Sequence, residues 1–305
     1  MLRFFLRRVG QSVITLLTVT VIAFSLTYIT GNPVHALLPA DADAAQAELL
    51  SRELGLDRPL HVQYIIFLGR AVWGDFGESI KWRGQSAMGL VMQRLPATIT
   101  LAGFAIFVSL ILAVPIGVAS AVRKNGFIDK FGKIIALLGQ SLPPFWLGII
   151  LIWVFAVNLR WFPVAGYGKL QNLILPAVAL GWYQTAAIMR LTRSSMLDVL
   201  DSEYIKLARI KGIREWRVIW VHALRNALIV PLTYFGLIVG VIITRTVVVE
   251  SIFGWPGTGT LVLEAVMARD FPVVNALIVT FTIIFIISQF MVDILYAIID
   301  PRIRY

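Results

Sequence analysis

The chain has 305 residues, of which 58% are hydrophobic and only 14% charged, with a net charge of +10 and a mean hydropathy of +0.82. An ordinary water-soluble domain is excluded, because the apolar residues come in runs long enough to cross a bilayer. A nucleic-acid binder is excluded too: the Lys and Arg residues cluster beside those runs, where membrane orientation and lipid contact account for them.

Arg3, Arg7 and Arg8 precede an apolar run from Val9 to about Ile29. As a helix this run is about 30 Å long, the thickness of a hydrocarbon core. It is too long for a signal-peptide core and no small-x-small cleavage site follows, so it reads as an uncleaved first span with its N-terminus inside. Residues 31–94 are the one long polar segment of the N-terminal half. In it, Gly31-Asn32-Pro33 breaks the first helix, Asp43 to Leu54 reads as a helix stopped by Gly55, and His61 to Trp73 as an amphipathic helix. Gly74-Asp75-Phe76-Gly77 reads as a turn. The segment forms a small layer outside the membrane.

A second span is expected over about Leu95 to Val122, with Pro96 near its start and Pro115 inside it. Arg123, Lys124, Lys130 and Lys133 mark a short basic inner loop, and a third span covers about Ile134 to Val157. Gln140, Ser141, Pro143 and Pro144 fall within that span. A Pro pair breaks the hydrogen-bond ladder, which makes these four residues candidates for a bend lining a pathway. Asn158 to Asn172, with Trp161, Pro163 and Tyr167, is a short outer loop. The fourth span runs from about Leu173 to Leu191 and holds Gln184 and Thr185, polar groups that face a partner helix or a cavity and join the candidate pathway set.

Ser194 to Asn226 is the longest polar interruption of the C-terminal half. It carries Lys206, Arg209, Lys211, Arg214, Arg217 and Arg225 between two apolar runs, which places it on the cytoplasmic face. It has helical signals of its own: Asp201 or Ser202 as N-cap, Glu203 at the positive end, Gly212 as the stop. Tyr204, Leu207 and Ala208 share a face, and small Ala208 lets another surface approach. Trp216, Ile219, Trp220 and Ala223 form a second stripe. The loop reads either as an interfacial helix or as a docking knob for a soluble partner. The fifth span follows at about Ala227 to Val249, with Arg245 near its outer end. An outer loop from Glu250 to Asp270 contains Gly254-Trp255-Pro256-Gly257-Thr258-Gly259, and a sixth span runs from about Val274 to Ile299. Asp293 in that span reads as an anchor, paired with Arg190 or Arg193. Six spans with both ends inside satisfy the charge rule everywhere except in the long outer segment.

No chemistry-bearing motif appears. Gly126 to Ile134 approaches a phosphate loop but has one residue too many between its glycines, and Ile134 stands where Ser or Thr is needed. There is no HExxH helix and no nucleophile elbow. Cysteine is absent and the three histidines, His35, His61 and His222, are far apart, so neither a disulfide nor a metal site is expected.

The segment Lys206-Leu207-Ala208-Arg209-Ile210-Lys211-Gly212, with His222-Ala223-Leu224-Arg225-Asn226-Ala227, resembles the permease subunits of ATP-binding-cassette importers, in particular the dipeptide/oligopeptide/nickel family. Further matching pieces are Leu54-Gly55-Leu56-Asp57-Arg58-Pro59, Gly74-Asp75-Phe76-Gly77, Phe253-Gly254-Trp255-Pro256-Gly257, Arg269-Asp270-Phe271-Pro272 and Asp300-Pro301-Arg302-Ile303-Arg304-Tyr305. Of the general importer signature only Ala208, Gly212 and Leu224 are kept, a departure similar to that of the peptide/nickel branch.

The resemblance implies an all-α, six-span type I importer permease of the inner membrane: residues 1–30 as the first helix, 31–94 external, 94–299 the permease domain with a coupling loop at 192–226, and 300–305 a cytoplasmic tail. It implies a coupling helix, Glu203, Tyr204, Lys206, Leu207, Ala208, Arg209, Lys211 and Gly212, seated in a groove of an ATPase subunit. The implied partners are a second permease subunit, two ATPase subunits that bind ATP and Mg, and an external solute-binding protein; this chain itself would bind no cofactor and catalyse nothing. The alternative is a self-contained secondary transporter or channel, which would favour internal repeats and intramembrane charge; no repeat is visible.

Overall fold

The computed structural model describes residues 2–29, 43–53 and 57–299. The expected break at Gly31-Asn32-Pro33, the stop at Gly55 and the 300–305 tail lie outside them. Among the described residues there is no β-strand, only one isolated bridge between Glu78 and Ser86. The expected all-α architecture is what is found. Among the described residues four helices are long and apolar enough to cross a membrane, and six crossings result when each of two bent helix pairs is taken as one.

The chain divides into two compact units, Met1–Ala97 with Pro256–Ile286, and Thr98–Trp255 with Ile287–Arg304. In the first unit α1, Leu2–Ile29, pairs with α3, Leu60–Val72. Phe24 meets Tyr64 edge to face at 5.6 Å, and the Tyr64 hydroxyl lies 3.0 Å from that of Thr20. The Ala/Glu-rich helix is α2, Ala44–Glu53. The start of α4, Ala87–Val122, packs Ala87, Leu90 and Val91 against Leu261 and Ala265 of α11, Thr258–Met267, and Val273, Ala276 and Leu277 at the start of α12, Phe271–Ile299.

A buried knot of polar groups fixes the loop before α4. Asp270 is fully buried and caps α12, accepting from the Val273 amide at 3.4 Å. Its other oxygen accepts the Ser79 hydroxyl and the Lys81 amide. The loop from Glu250 to Asp270 is therefore not a loop: α11 occupies half of it. Turn residues at 254–259 masked the apolar period of Leu261, Ala265 and their neighbours.

The second unit is built around α7, Leu170–Leu200. In its most apolar stretch 72% of residues are buried, against 11% for α1, so α7 is a core helix of its unit. Small residues let its neighbours come close. A β-carbon on Gly181 would sit 2.7 Å from the Ala105 carbonyl oxygen of α4, and one on Gly117 would sit 2.8 Å from the Met189 carbonyl oxygen.

The expected third span is two helices, α5, Phe127–Ser141, and α6, Pro144–Asn158, meeting at 112°. Pro143 and Pro144 cause the break: neither can donate an amide, and each disfavours helical geometry in the residue before it. Helix α5 begins seven residues before Ile134, so Lys130 and Lys133 lie on a helix and not in a loop. The end of α6, Ile152–Asn158, is π-helical. The fifth span, α10, Ile229–Ile252, is entered through a 44° bend from the preceding helix, Glu215–Ala227.

Candidate functional site

The basic interruption folds as two short helices on the ends of α4 and α7. Helix α8, Glu203–Ile210, starts at Ser202 as expected, but the Ser202 hydroxyl turns back to the Val199 carbonyl at 2.5 Å and does not cap. Its C-terminus is a Schellman motif: the Ile213 amide donates to Ala208 and the Gly212 amide to Arg209, with Gly212 at φ +76°. This left-handed position is why Gly, with no Cβ, stops the helix. Helix α9, Glu215–Ala227, is π-helical over Val218–Ala223.

Ile205 of α8 is fully buried and Ala208 is 9% exposed. They pack with Val118 and Ala121 of α4, Met196 of α7, and Val218, Ala223 and Leu224 of α9. Burying Ile205 contributes about 2 kcal/mol. This corrects the expectation for Ala208: its small side chain admits the chain's own core, not a partner. The expected stripe of Trp216, Ile219, Trp220 and Ala223 also fails, because a π-turn has a wider spacing than an α-turn and buries Val218 with Ala223 instead. Asn226 Nδ2 donates to the Tyr204 hydroxyl at 2.7 Å and ties α9 to α8.

What faces outward is Glu203, Lys206, Arg209, Lys211, Leu207 at 51% exposure and Ile210 at 81%. Lys206 pairs with Glu203 at 2.7 Å, and Arg209 with Glu215 at 2.8 Å. These carboxylates raise the pKa of both cations, so their stabilising effect is complete below the ordinary Lys and Arg values and is lost only in strong alkali. The result is a rigid knob with an apolar tip, Leu207 and Ile210, inside a ring of charge.

The candidate pathway residues separate into two groups. Gln140 is half-buried and accepts a hydrogen bond from Arg190 at 2.9 Å; Ser141 is exposed, with Pro143 and Pro144 at the bend. Gln184 and Thr185 are buried in the bundle. Gln184 accepts from the Tyr234 hydroxyl at 3.1 Å, and Thr185 donates to the Gly181 carbonyl at 2.9 Å.

A buried ion cluster that the sequence did not announce lies beside them. Asp129 of α5 is fully buried and takes two bonds from Arg193 of α7, at 2.5 and 3.0 Å, one from Lys133 at 3.0 Å and one from the Asn125 amide at 2.9 Å. Arg190 and Arg193 thus go to Gln140 and Asp129, not to Asp293 as expected. The i, i+4 spacing of Asp129 and Lys133 was the available signal. Arg245 lies over the Tyr183 ring at 5.4 Å, while Glu250 is fully buried and accepts the Thr98 hydroxyl at 2.7 Å.

These features define a multi-span, all-helical membrane protein with a firmly seated, charged knob between α7 and α10. The family described as binding-protein-dependent transport system inner membrane component matches residues 113–305, and its N-terminal counterpart matches residues 1–102. The chain belongs to this family, the inner-membrane permeases of ATP-binding-cassette importers. It is similar to the oligopeptide transport system permease protein AppB of Bacillus subtilis (strain 168), 39% identical over the whole of both chains. It is 38% identical to the glutathione transport system permease protein GsiC of Salmonella typhimurium (strain LT2), again over the whole of both. A putative peptide permease protein of Brucella suis biovar 1 is also 38% identical, covering all of this chain and 99% of the relative. The chain is thus a non-catalytic, multi-pass subunit of the inner membrane that works with a separate ATPase and a solute-binding protein.

Proposed function

We propose that this permease forms half of the translocation pathway of a peptide importer, opposite a second, homologous permease subunit, with two ATPase subunits below and the binding protein outside. Small peptides, glutathione-like tripeptides included, are the substrate class, a reading supported by the names of full-length relatives at 38–39% identity. Both termini face the cytoplasm, as the Lys and Arg bias of the short loops favours. ATP and Mg belong to the partner ATPases.

The single observation that carries the mechanism is the two-sidedness of α8. Its inner face, Ile205 and Ala208, is locked to α4 and α7, while Leu207 and Ile210 are exposed on the outer face. An ATPase that grips the tip moves α8, and α8 cannot move without α4 and α7. Glu203, Tyr204, Lys206, Leu207, Arg209 and Lys211 form the docking surface, Ala208 seats the helix, and Gly212 ends it. At the membrane level Ser141, Pro143 and Pro144 face cargo at the 112° bend and Gln140 is held by Arg190; Gln184 ties α7 to Tyr234 of α10, while Thr185 bonds within α7. The test is co-purification of Ile210→Glu with the ATPases: association should weaken on the order of tenfold or more while the permease pair stays intact. Undiminished ATPase retention would refute the assignment.

A further inference from the structure

Between α5, α7 and the end of α4 the second unit holds a cavity of about 300 Å³, lined by Ser120, Lys133, Leu137, Gln140, Arg190 and Arg193 among others. Its charge is unbalanced. Lys133, Arg190 and Arg193 supply three cations, and the acid bonded to them is Asp129 alone, which is shared by Lys133 and Arg193. Arg190 bonds to a neutral amide, that of Gln140. Two positive charges therefore remain at the cavity, and the Lys133 side chain is 51% exposed. The cations are held in place: Arg193 by two bonds to a fully buried carboxylate, Arg190 by Gln140.

The rest of the wall is apolar. Ala136, Leu137 and Met189 line it. Leu137 is 69% exposed, and its neighbours on α5, Ile134 and Leu138, are 55% and 45% exposed. Fixed cations with an open apolar surface beside them match an anionic headgroup with its acyl chains. They do not match a soluble peptide, for whose backbone Ser120 and Gln140 alone offer neutral polar groups.

We propose that this cavity binds the headgroup of an anionic phospholipid, with Lys133 and Arg190 on the phosphate and the acyl chains along Ile134, Leu137 and Leu138. Arg193 is the fixed base of the site and Asp129 its clamp. Basic pockets between transmembrane helices are the kind of site that holds such headgroups. The proposal rests on the membrane-subunit reading but not on the importer mechanism, and its test uses neither ATPase nor cargo.

The full chain, delipidated in detergent, is titrated with dioleoyl phosphatidylglycerol or dioleoyl phosphatidylcholine, and bound lipid is counted by native mass spectrometry. One phosphatidylglycerol should bind tightly and phosphatidylcholine should not. Lys133→Gln and Arg190→Gln should each weaken it by about fivefold, the cost of one surface cation against an anionic headgroup. Lys124→Gln, an exposed cation outside the cavity, should leave it unchanged. Equal affinity for the two lipids, or an unaltered affinity in both cavity variants, overturns the proposal. So does binding of inorganic phosphate or a free dipeptide that competes with the lipid at equal affinity, since the site would then recognise a soluble anion.

Discussion

Asp129 organises a buried ion cluster in the second unit. It is fully buried and accepts from Arg193, Lys133 and the Asn125 amide. Removing one partner of a buried ion pair leaves the other uncompensated, so Asp129→Ala should destabilise the chain by about 3 kcal/mol, seen as a lower melting temperature in detergent. A change within about half a kcal/mol would show that the cluster is solvated. Arg269 is the opposite case. It ends α11 in the same Schellman geometry as Gly212 but at φ +55° with a side chain. Arg269→Gly should therefore raise stability by up to about 1 kcal/mol, measured by the same melting experiment. The stop at Gly212 and the turns at Gly74 and Gly254 were legible because glycine marks the left-handed position. Arg269 was not, since nothing in its side chain announces it. Asp129 escaped because its partner Arg193 is 64 residues away.

Most helices could be read along the chain. The expected second amphipathic helix, His61 to Trp73, is α3 within one residue at each end, and the first and last apolar runs are α1 and α12. Two readings failed, each for a local reason, while the bend expected at the proline pair is there as a 112° angle between two helices. Turn residues hid α11. A π-helical stretch shifted the buried face of α9 to Val218 and Ala223.

The orientation of α8 was misjudged because Ala208 and Leu207 are adjacent and periodicity alone does not say which face meets the bundle. The consequence is testable by contrasting two variants. Ala208→Trp forces a large ring into a packed cluster, which costs on the order of 1–3 kcal/mol and should lower the yield of folded permease. Leu207→Glu changes an exposed position and should leave yield and melting unchanged while ATPase association falls. If Ala208→Trp folded normally and lost only ATPase binding, α8 would be seated the other way round.

As a whole the chain is a permease subunit without a motor of its own, since family membership makes it non-catalytic, and in the proposed mechanism the seated knob gives a separate ATPase a place to push. In proteoliposomes the isolated chain should import no peptide under any ion gradient. Uptake should appear only with the ATPases, the second permease and the binding protein together; robust uptake by the isolated chain would favour a self-contained carrier.

The central claim is that the tip of α8 is an intracellular docking surface. The sequence contains no cysteine, so Ile210→Cys introduces a single thiol. Intact cells are treated with a membrane-impermeant maleimide, and permeabilised membranes are treated with and without the ATPases present. The account predicts no labelling in intact cells, full labelling after permeabilisation, and protection when the ATPases are bound. Labelling of the introduced thiol from outside intact cells, or labelling that the bound ATPases do not slow, would contradict it.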